Sequence, residues 1–317
     1  MPLRFTLRQL EYFVAVGEMG SIALASEKVN VSSPSISAAI SQLEKEFGIP
    51  LFVRQHAQGL SLTQAGRQML DQVRLVLREA NVITDLAGDL SGEVRGALNI
   101  GCMVTFAQLS LAPLRRQFQN EFNDVRVQQY ELNQAEIFSA LRRAEIDVAL
   151  TYDLQLPADL VFESLVELPP YVLVGNAHPL ASAKGVTVAQ LEEYPMVLLD
   201  LPYSSEYFLS FFTTAGITPK VAERTKDMAV MRSLVANGFG FSIANAPLTS
   251  EQSPDGKPLC FIPMRGAVRP MRMGLLMPTD AEQSSVIRAF VNHCKRHYST
   301  PSETADTQRT ALHSAQA

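Results

Sequence analysis

Residues 31–48, VSSPSISAAISQLEKEFG, decide the fold of the N-terminal part of the chain. Ser33 followed by Pro34 predicts a helix start, because serine caps a helix N-terminus and proline fits the first turn. Apolar side chains then recur in one stripe, and Gly48 is expected to end the helix. The stripe consists of Ile36, Ile40, Leu43 and Phe47. The remaining positions are small or polar and are free to face another molecule.

The segments on either side complete a recognisable unit. Two further helices are predicted over residues 6–17 and 22–29. Two short strands are predicted over residues 51–53 and 60–62. Three helices followed by a hairpin form a winged helix-turn-helix, which places its third helix in the major groove of DNA. We therefore expect residues 5–65 to be a DNA-binding domain.

A long helix is predicted next, with Thr63 as its cap and its end near Leu90. Seven apolar side chains recur in it at alternating spacings of 4 and 3, which is the seam of a coiled coil. We predict that residues 66–92 form a dimerising linker helix. The alternative is a helix packed on its own domain. The seam consists of Met69, Val73, Val76, Ala80, Ile83, Ala87 and Leu90.

Strands and helices alternate from Ala97 onward, which predicts an α/β domain over residues 95–298 with largely parallel sheets. Its last helix is expected over residues 281–297. Ligands collect in the crevice between two such lobes, where strand ends and helix N-termini meet. Lobe 1 is expected over about residues 95–168 with 270–298, and lobe 2 over about residues 169–267. The polar segment 299–317 is predicted to be a disordered tail.

Length and composition fit this organisation. At 317 residues the chain is expected to form two or three domains, and 47% hydrophobic with 19% charged residues is typical of soluble globular proteins. No run of 18 apolar residues occurs, and the N-terminus does not resemble a secretory segment, so we expect a cytoplasmic protein without membrane partners. Residues 1–66 carry five basic and five acidic side chains. Binding to phosphate is therefore expected to use hydroxyls, amides and helix N-termini.

Several linked motifs occur in order along the N-terminal part of the chain: LRQLEYF (7–13), GSIALA (20–25), VSSPSIS (31–37), ISQLE (40–44), GIPLF (48–52) and LTQAG (62–66). Three more follow in the C-terminal part: LNIG (98–101), IDVAL (146–150) and GFGFS (238–242). In these motifs the chain resembles the LysR-type transcriptional regulators, more loosely in the C-terminal part, and the resemblance covers residue 5 to about residue 298.

The resemblance implies a regulator that binds double-stranded promoter DNA as a homodimer joined by the linker helix, usually assembled into a homotetramer. It also implies an effector-binding domain similar in fold to periplasmic binding proteins, in which a small molecule controls promoter binding or activation. RNA polymerase is a further candidate partner. The alternative is a solute-binding or enzymatic α/β protein whose N-terminal helices serve only for association. No nucleophile elbow, P-loop or dinucleotide motif supports catalysis, and no cofactor is expected.

Candidate DNA contacts follow from the resemblance by position. Many relatives carry Gln and Arg where this chain has Ser33 and Ala38, so apolar contact of Pro34 or Ala38 with a thymine methyl is expected instead. Ser21 and Thr63 are candidate phosphate donors as well as caps. The full set is Ser21, Ser32, Ser33, Pro34, Ser35, Ser37, Ala38, Gln42, Arg54, His56 and Thr63.

Candidate effector contacts lie at strand ends and helix starts of the C-terminal domain. A hydroxyl beside free backbone N–H groups can hold a carboxylate, so we expect a small effector that is anionic or aromatic. The alternative is that these residues are ordinary caps. The candidates are Thr105, Tyr152, Tyr203, Ser204 and Asn245.

Other chemistry is weakly indicated. His293 and His297 have the spacing of a metal pair, but no third ligand is evident, so an exposed helix end is expected and no metal. Cys102, Cys260 and Cys294 are odd in number and far apart, which argues against disulfides. Nothing basic adjoins Cys102, so a buried strand cysteine is expected there and not a redox sensor.

Overall fold

A computed structural model describes residues 3–55, 59–91, 93–246, 250–281 and 284–299. The predicted wing residue His56 and residues 300–317 of the predicted tail lie outside this part of the chain. So do the side chains of Arg54, Ala87 and Leu90. The chain divides into two compact units. One is Met1–Glu93 with Arg142–Glu145, and the other is Val94–Leu141 with Ile146–Ala317.

The first unit has the predicted order of three helices, a hairpin and a long helix. The third helix begins one residue earlier than expected, because its N-cap is Ser32 and not Ser33. Gly48 ends that helix in the left-handed conformation, as predicted. The elements are α1 (Leu7–Met19), α2 (Ile22–Val29), α3 (Ser33–Phe47), β1 (Phe52–Gln55), β2 (Gly59–Leu62) and α4 (Gln64–Ser91).

The core of this unit joins α1 and α3 to the start of α4. Phe13, Ile36 and Leu43 are fully buried in it, and Leu70 and Val73 enter it from α4. The long helix is therefore fixed to the helix-turn-helix by packing over its first turns.

The second unit contains two larger sheets with helices around them. The elements of its first half are β3 (Gly96–Met103), α5 (Val104–Phe106), a π-helical turn (Ala107–Leu111), α6 (Ala112–Glu121), β4 (Val125–Leu132), α7 (Gln134–Arg142), β5 (Val148–Tyr152) and β6 (Leu160–Leu168). Those of its second half are β7 (Tyr171–Gly175), β8 (Val186–Thr187), α8 (Val188–Leu191), β9 (Pro195–Leu199), α9 (Ser204–Thr214), β10 (Lys220–Thr225), α10 (Met228–Ala236), β11 (Ser242–Ala244), β12 (Leu259–Arg265), β13 (Met271–Pro278) and α11 (Ser285–Ser299).

The sheets are mixed, so the prediction of largely parallel sheets was wrong. One sheet has the order β4-β3-β5-β13-β6, in which β3 is parallel to β4 and β5 while β13 is antiparallel to β5 and β6. The other has the order β11-β7-β12-β8, and β9 pairs with β10. Because β13 follows lobe 2 and returns to the first sheet, the unit has two α/β lobes joined by crossing segments.

The last helix starts later than predicted. It begins at Ser285 and not at residue 281, and the Ser284 hydroxyl accepts a hydrogen bond from the backbone N–H of Ile287 at 3.5 Å. Serine at this position is a typical helix cap. Of the helices within the described ranges, none is long and apolar enough to cross a membrane.

Candidate DNA interface and effector cavity

The exposed face of α3 consists mainly of small, uncharged side chains. Its stripe of Ile36, Ile40 and Leu43 is buried, as predicted. Ser33 and Ser37 are half-buried at the edge of the opposite face. The exposed residues of that face and its cap are Ser32, Pro34, Ser35, Ala38, Ser41, Gln42 and Lys45. A helix with small side chains can approach the floor of a major groove closely, and its hydroxyls can reach phosphate.

The turn before α3 is fixed by a serine and an asparagine. Asn30 adopts the left-handed conformation with φ of 52°, which asparagine tolerates better than most residues. The Ser26 hydroxyl donates to the carbonyl of Val31 at 2.6 Å. At the start of α3, the hydroxyls of Ser32 and Ser35 share a hydrogen bond of 2.8 Å. These contacts fix the turn between α2 and α3 and so the face that α3 exposes.

The hairpin is tied to α3 by a carboxylate that the sequence analysis did not single out. Glu44 Oε1 accepts hydrogen bonds from the backbone N–H groups of Leu51 at 2.8 Å and Phe52 at 3.2 Å. On the other strand, the Leu60 N–H donates to the carbonyl of Gly20 at 2.9 Å. The wing is therefore positioned from both sides.

Both predicted caps are confirmed. The Ser21 hydroxyl accepts from the Leu24 N–H at 3.4 Å at the start of α2. The Thr63 hydroxyl accepts from the Gly66 N–H at 2.8 Å and donates to the carbonyl of Pro50 at 2.8 Å. A phosphate contact by Thr63 would compete with the Pro50 bond for its proton, and it stays a prediction.

The predicted seam of α4 divides into two parts. Val73 is buried at 4% exposure in the core of its own unit, and Met69 packs against that core. Val73 is therefore a core residue of its own unit, as the alternative interpretation has it, and its assignment to the dimer seam was wrong. Met69 is half-buried, and its place in the seam stays a prediction. Further along, Val76 is 46% and Ile83 is 72% exposed, with Ala80 half-buried between them.

A small cavity lies between the two lobes of the second unit. Thr105, Tyr152, Ser204 and Asn245 line it, so four of the five predicted effector residues come together. Tyr203 is not among the lining residues, and its ring packs on Phe138 at 5.5 Å. The remaining lining residues are Leu199, Leu201, Phe208, Met228, Ala244, Ala246 and Met271. The cavity measures about 20 Å³, which is enough for about one water molecule.

Two hydroxyls from lobe 1 form one wall of the cavity. Thr105 Oγ1 and the Tyr152 hydroxyl lie 3.1 Å apart, and both side chains are buried. Burial raises the pKa of Tyr152 well above the ordinary range of a phenol, so this hydroxyl is protonated at neutral pH. The Tyr152 ring also packs on Phe106 at 4.5 Å.

Asn245 forms the facing wall from lobe 2. Its Nδ2 donates to the carbonyl of Leu168 at 2.6 Å and to the Tyr207 hydroxyl at 3.2 Å. The Tyr207 hydroxyl in turn donates to the carbonyl of Arg269 at 2.6 Å, and burial raises its pKa to about 12. Oδ1 of Asn245 is buried without a hydrogen-bond partner in the described part of the chain.

Asp153 holds Arg269 and Arg272, where the chain returns from lobe 2 into β13. Its carboxylate accepts from the Arg272 backbone N–H at 2.8 Å and Nε at 2.9 Å, and from Arg269 Nη2 at 3.3 Å. Gln134 Nε2 fixes the end of β5 by donating to the carbonyl of Tyr152 at 3.0 Å. Neither Asp153 nor Gln134 was predicted from the sequence. Their only signal was a polar residue directly after β5 and another at the start of α7.

The histidines of α11 have partners within the fold. His293 Nδ1 lies 2.8 Å from Glu121 Oε2, and His297 Nδ1 lies 3.1 Å from Gln117 Oε1. His293 is buried, so the expectation of an exposed helix end was wrong there. In the described ranges no three His, Cys, Asp or Glu side chains are grouped to hold a metal ion. Cys102 is buried in β3 as predicted, and burial raises its pKa.

A winged helix-turn-helix followed by a two-lobed α/β unit with an internal cavity defines a DNA-binding regulator with a ligand-binding domain. The family of bacterial regulatory helix-turn-helix proteins of the lysR type matches residues 7–67, and the LysR substrate binding domain matches residues 91–299. The chain belongs to the LysR family of transcriptional regulators.

Individual relatives agree over nearly the whole length. The HTH-type transcriptional regulator YnfL of Escherichia coli is 29% identical, over 92% of this chain and 98% of the relative. YvbU of Bacillus subtilis is 29% identical, over 80% of this chain and 84% of the relative. The crystal structure of HinK, a LysR family regulator from Pseudomonas aeruginosa, is similar at a TM-score of 0.62 and 31% identity, covering 93% of this chain and 99% of HinK.

Proposed function

We propose that this protein binds promoter DNA in the cytoplasm through the exposed face of α3, as a homodimer or homotetramer, and that a small effector in the lobe cavity controls its activity. The observation that carries this proposal is the α3 helix. Its apolar stripe is buried in the core while a row of small residues, including Pro34, Ala38 and Gln42, remains exposed. A face of this shape matches a major groove.

DNA recognition is proposed to combine few base contacts with many backbone contacts. Pro34 and Ala38 can contact thymine methyl groups, and Gln42 can pair with an adenine edge. The hydroxyls of Ser32, Ser33, Ser35 and Ser37 at the start of α3, together with Ser21, Thr63, Arg54 and His56, are proposed to approach phosphates. Because residues 1–66 carry five basic side chains, balanced by five acidic ones, assembly of several subunits on one promoter would raise the overall affinity.

Effector control is proposed to work through opening of the cavity. The cavity has room for about one water molecule, so a larger molecule enters only if the lobes move apart. Thr105 and Tyr152 lie on one lobe, and Ser204 and Asn245 on the other. A ligand that contacts both sides would therefore favour one lobe spacing over another, which is the differential affinity that control requires. Tyr203 does not line the cavity, so it could contact the effector only after such a movement.

Dimerisation is proposed to use the exposed half of the α4 seam. Val76, Ala80 and Ile83 follow one another at heptad spacing, and apolar side chains exposed in such a row are typical of a coiled-coil contact. Ala87 and Leu90 continue the spacing in the sequence.

The proposal is tested by a mobility-shift assay with the DNA upstream of the protein's own gene. We expect retardation that weakens as salt rises, with a shallower slope than that of a basic-helix protein, because few cations are available to contact phosphate. Failure to retard any promoter fragment at low salt would overturn the proposed function.

A further inference from the structure

Asn245 leaves one acceptor unused in the cavity. The side chain is 5% exposed, and its Oδ1 has no hydrogen-bond partner among the residues described. A buried acceptor without a partner is costly, and native structures keep such groups mainly where a ligand, a water or an ion completes them. Asn245 lines the cavity, so a molecule held there can supply the missing donor.

The orientation of the amide is fixed by its other contacts. Nδ2 has two hydrogens, and it donates to the carbonyl of Leu168 at 2.6 Å and to the Tyr207 hydroxyl at 3.2 Å. The Tyr207 hydroxyl has already given its own proton to the carbonyl of Arg269. A flipped amide would place Oδ1 against the Leu168 carbonyl, where two acceptors would repel. Oδ1 is therefore the atom of this amide that remains an acceptor without a partner.

The described side chains that line the cavity carry no charge. Of the described residues that line it, the polar ones are Thr105, Tyr152, Ser204 and Asn245, all uncharged, and the others are apolar. The nearby cation Arg269 is hydrogen-bonded to the buried carboxylate of Asp153 and is not part of the lining. At the start of α9 the backbone N–H groups of Ser204 and Ser205 already donate to the carbonyls of Pro202 and Leu201. A carboxylate carries acceptors only, so it would leave Asn245 Oδ1 without a donor, and burying its charge among uncharged side chains is unfavourable.

We propose that the effector is an uncharged, largely apolar molecule carrying a hydroxyl or N–H group that donates to Asn245 Oδ1. This inference rests on the proposed function, because it concerns the same cavity, and it narrows the expected anionic or aromatic effector to a neutral one. The Thr105 and Tyr152 hydroxyls share one hydrogen bond, which leaves one proton of the pair to donate. The effector therefore also carries an acceptor for this pair.

Matched probes test the proposal by thermal unfolding of the full-length protein at pH 7. Phenol is compared with anisole, and benzyl alcohol with benzyl methyl ether, so that each pair differs by one donor hydrogen. Benzoate and succinate represent singly and doubly charged ligands. At about ten times its dissociation constant, a hydroxyl compound is expected to raise Tm by about 3 to 6 °C. The ethers and the carboxylates are expected to leave Tm unchanged.

Substitution of Asn245 tests whether its side chain is responsible for the shift in Tm. Asn245→Leu removes the acceptor and should abolish the shift with the hydroxyl compounds, whereas Asn120→Leu, at an exposed position of α6, should retain it. If Asn245→Leu does not fold, the comparison of each hydroxyl compound with its ether on the wild-type protein still tests the proposal. Equal shifts with the ethers, larger shifts with a carboxylate, or no shift with either hydroxyl compound would overturn the proposal. These Tm measurements are independent of the mobility-shift assay. Failure of that assay alone would overturn the proposed function.

Discussion

The Glu44 carboxylate accepts a hydrogen bond of 2.8 Å from the backbone N–H of Leu51 and thereby joins the last turns of α3 to the residue before the wing. A second bond from Phe52, at 3.2 Å, holds the same carboxylate oxygen. One acidic side chain therefore sets the position of the wing relative to the helix that we propose reads DNA.

Glu44→Ala is expected to destabilise the N-terminal unit by about 1–3 kcal/mol, because two backbone donors lose a charged acceptor. It should also weaken DNA binding, since the wing loses its anchor. Chemical denaturation and fluorescence anisotropy with promoter DNA measure the two effects. Glu11→Ala removes an exposed glutamate of α1 and serves as the control. Equal stability of the two variants would contradict this role for Glu44.

Gly66→Ala tests the close approach of α4 to the segment before the wing. A Cβ at this position would lie 2.1 Å from the carbonyl oxygen of Leu51, so the backbone must shift. We expect a loss of stability of about 1–3 kcal/mol, as for other overpacked positions. Gln68→Ala, at an exposed position of the same helix, should change stability by less than about 0.5 kcal/mol. Equal stability of the Gly66→Ala and Gln68→Ala variants would contradict this close contact.

Local patterns predicted the N-terminal unit well because its elements carry their own signals. The stripe and glycine of α3 fixed its end, and its start was one residue off because Ser32 and Ser33 are equally good caps. Strand β6 was missed, since its side chains are partly exposed along both faces and acidic residues interrupt it. Half-exposed antiparallel strands of this kind give a weak signal.

The cavity between the lobes was predicted only in part, because some of its contacts join residues that are far apart in the sequence. Four of its residues follow strand ends or begin helices, where ligands are expected in α/β folds. The contacts that define Asn245 are not local, because Leu168 and Tyr207 lie 77 and 38 residues away in the sequence. The burial of Val73 in its own unit likewise depends on which side of α4 meets α1 and α3, and a heptad pattern alone does not contain that information.

Ile83→Asp is expected to shift the protein toward monomer, because it places a charge in the exposed half of the seam. Asn81→Asp adds the same charge at an exposed position off the seam and should leave the assembly unchanged. Analytical ultracentrifugation at micromolar concentration distinguishes the two. An unaltered sedimentation coefficient for both variants, or a monomeric wild-type protein, would refute the proposed seam.

Glu121 is expected to contribute pH-dependent stability to the second unit. The pKa of Glu121 lies below its usual range mainly because its carboxylate is hydrogen-bonded to His293. The nearby charge of Arg296 lowers this pKa further. A carboxyl group with a lowered pKa in the folded state stabilises the fold above its unfolded pKa of about 4.3, and this contribution is lost as the pH falls through the folded value.

Glu121→Gln should therefore lower Tm at pH 7, and the difference from wild type should shrink below about pH 4.3. Scanning calorimetry between pH 7 and pH 3 measures this difference. Glu192→Gln, at an exposed position of the same unit, should give a difference near zero throughout. A Glu121→Gln difference that grows as the pH falls would have the wrong sign for this account.

The central claim, that the exposed face of α3 docks on DNA, is tested most directly by fluorescence anisotropy with the DNA upstream of the gene. Ala38→Glu places a negative charge in the middle of that face, and Gln72→Glu places the same charge on an exposed position of α4. We predict that Ala38→Glu raises Kd at least about tenfold, equivalent to about 1.4 kcal/mol, while Gln72→Glu binds nearly like wild type. Equal affinity of the Ala38→Glu and wild-type proteins would contradict the account.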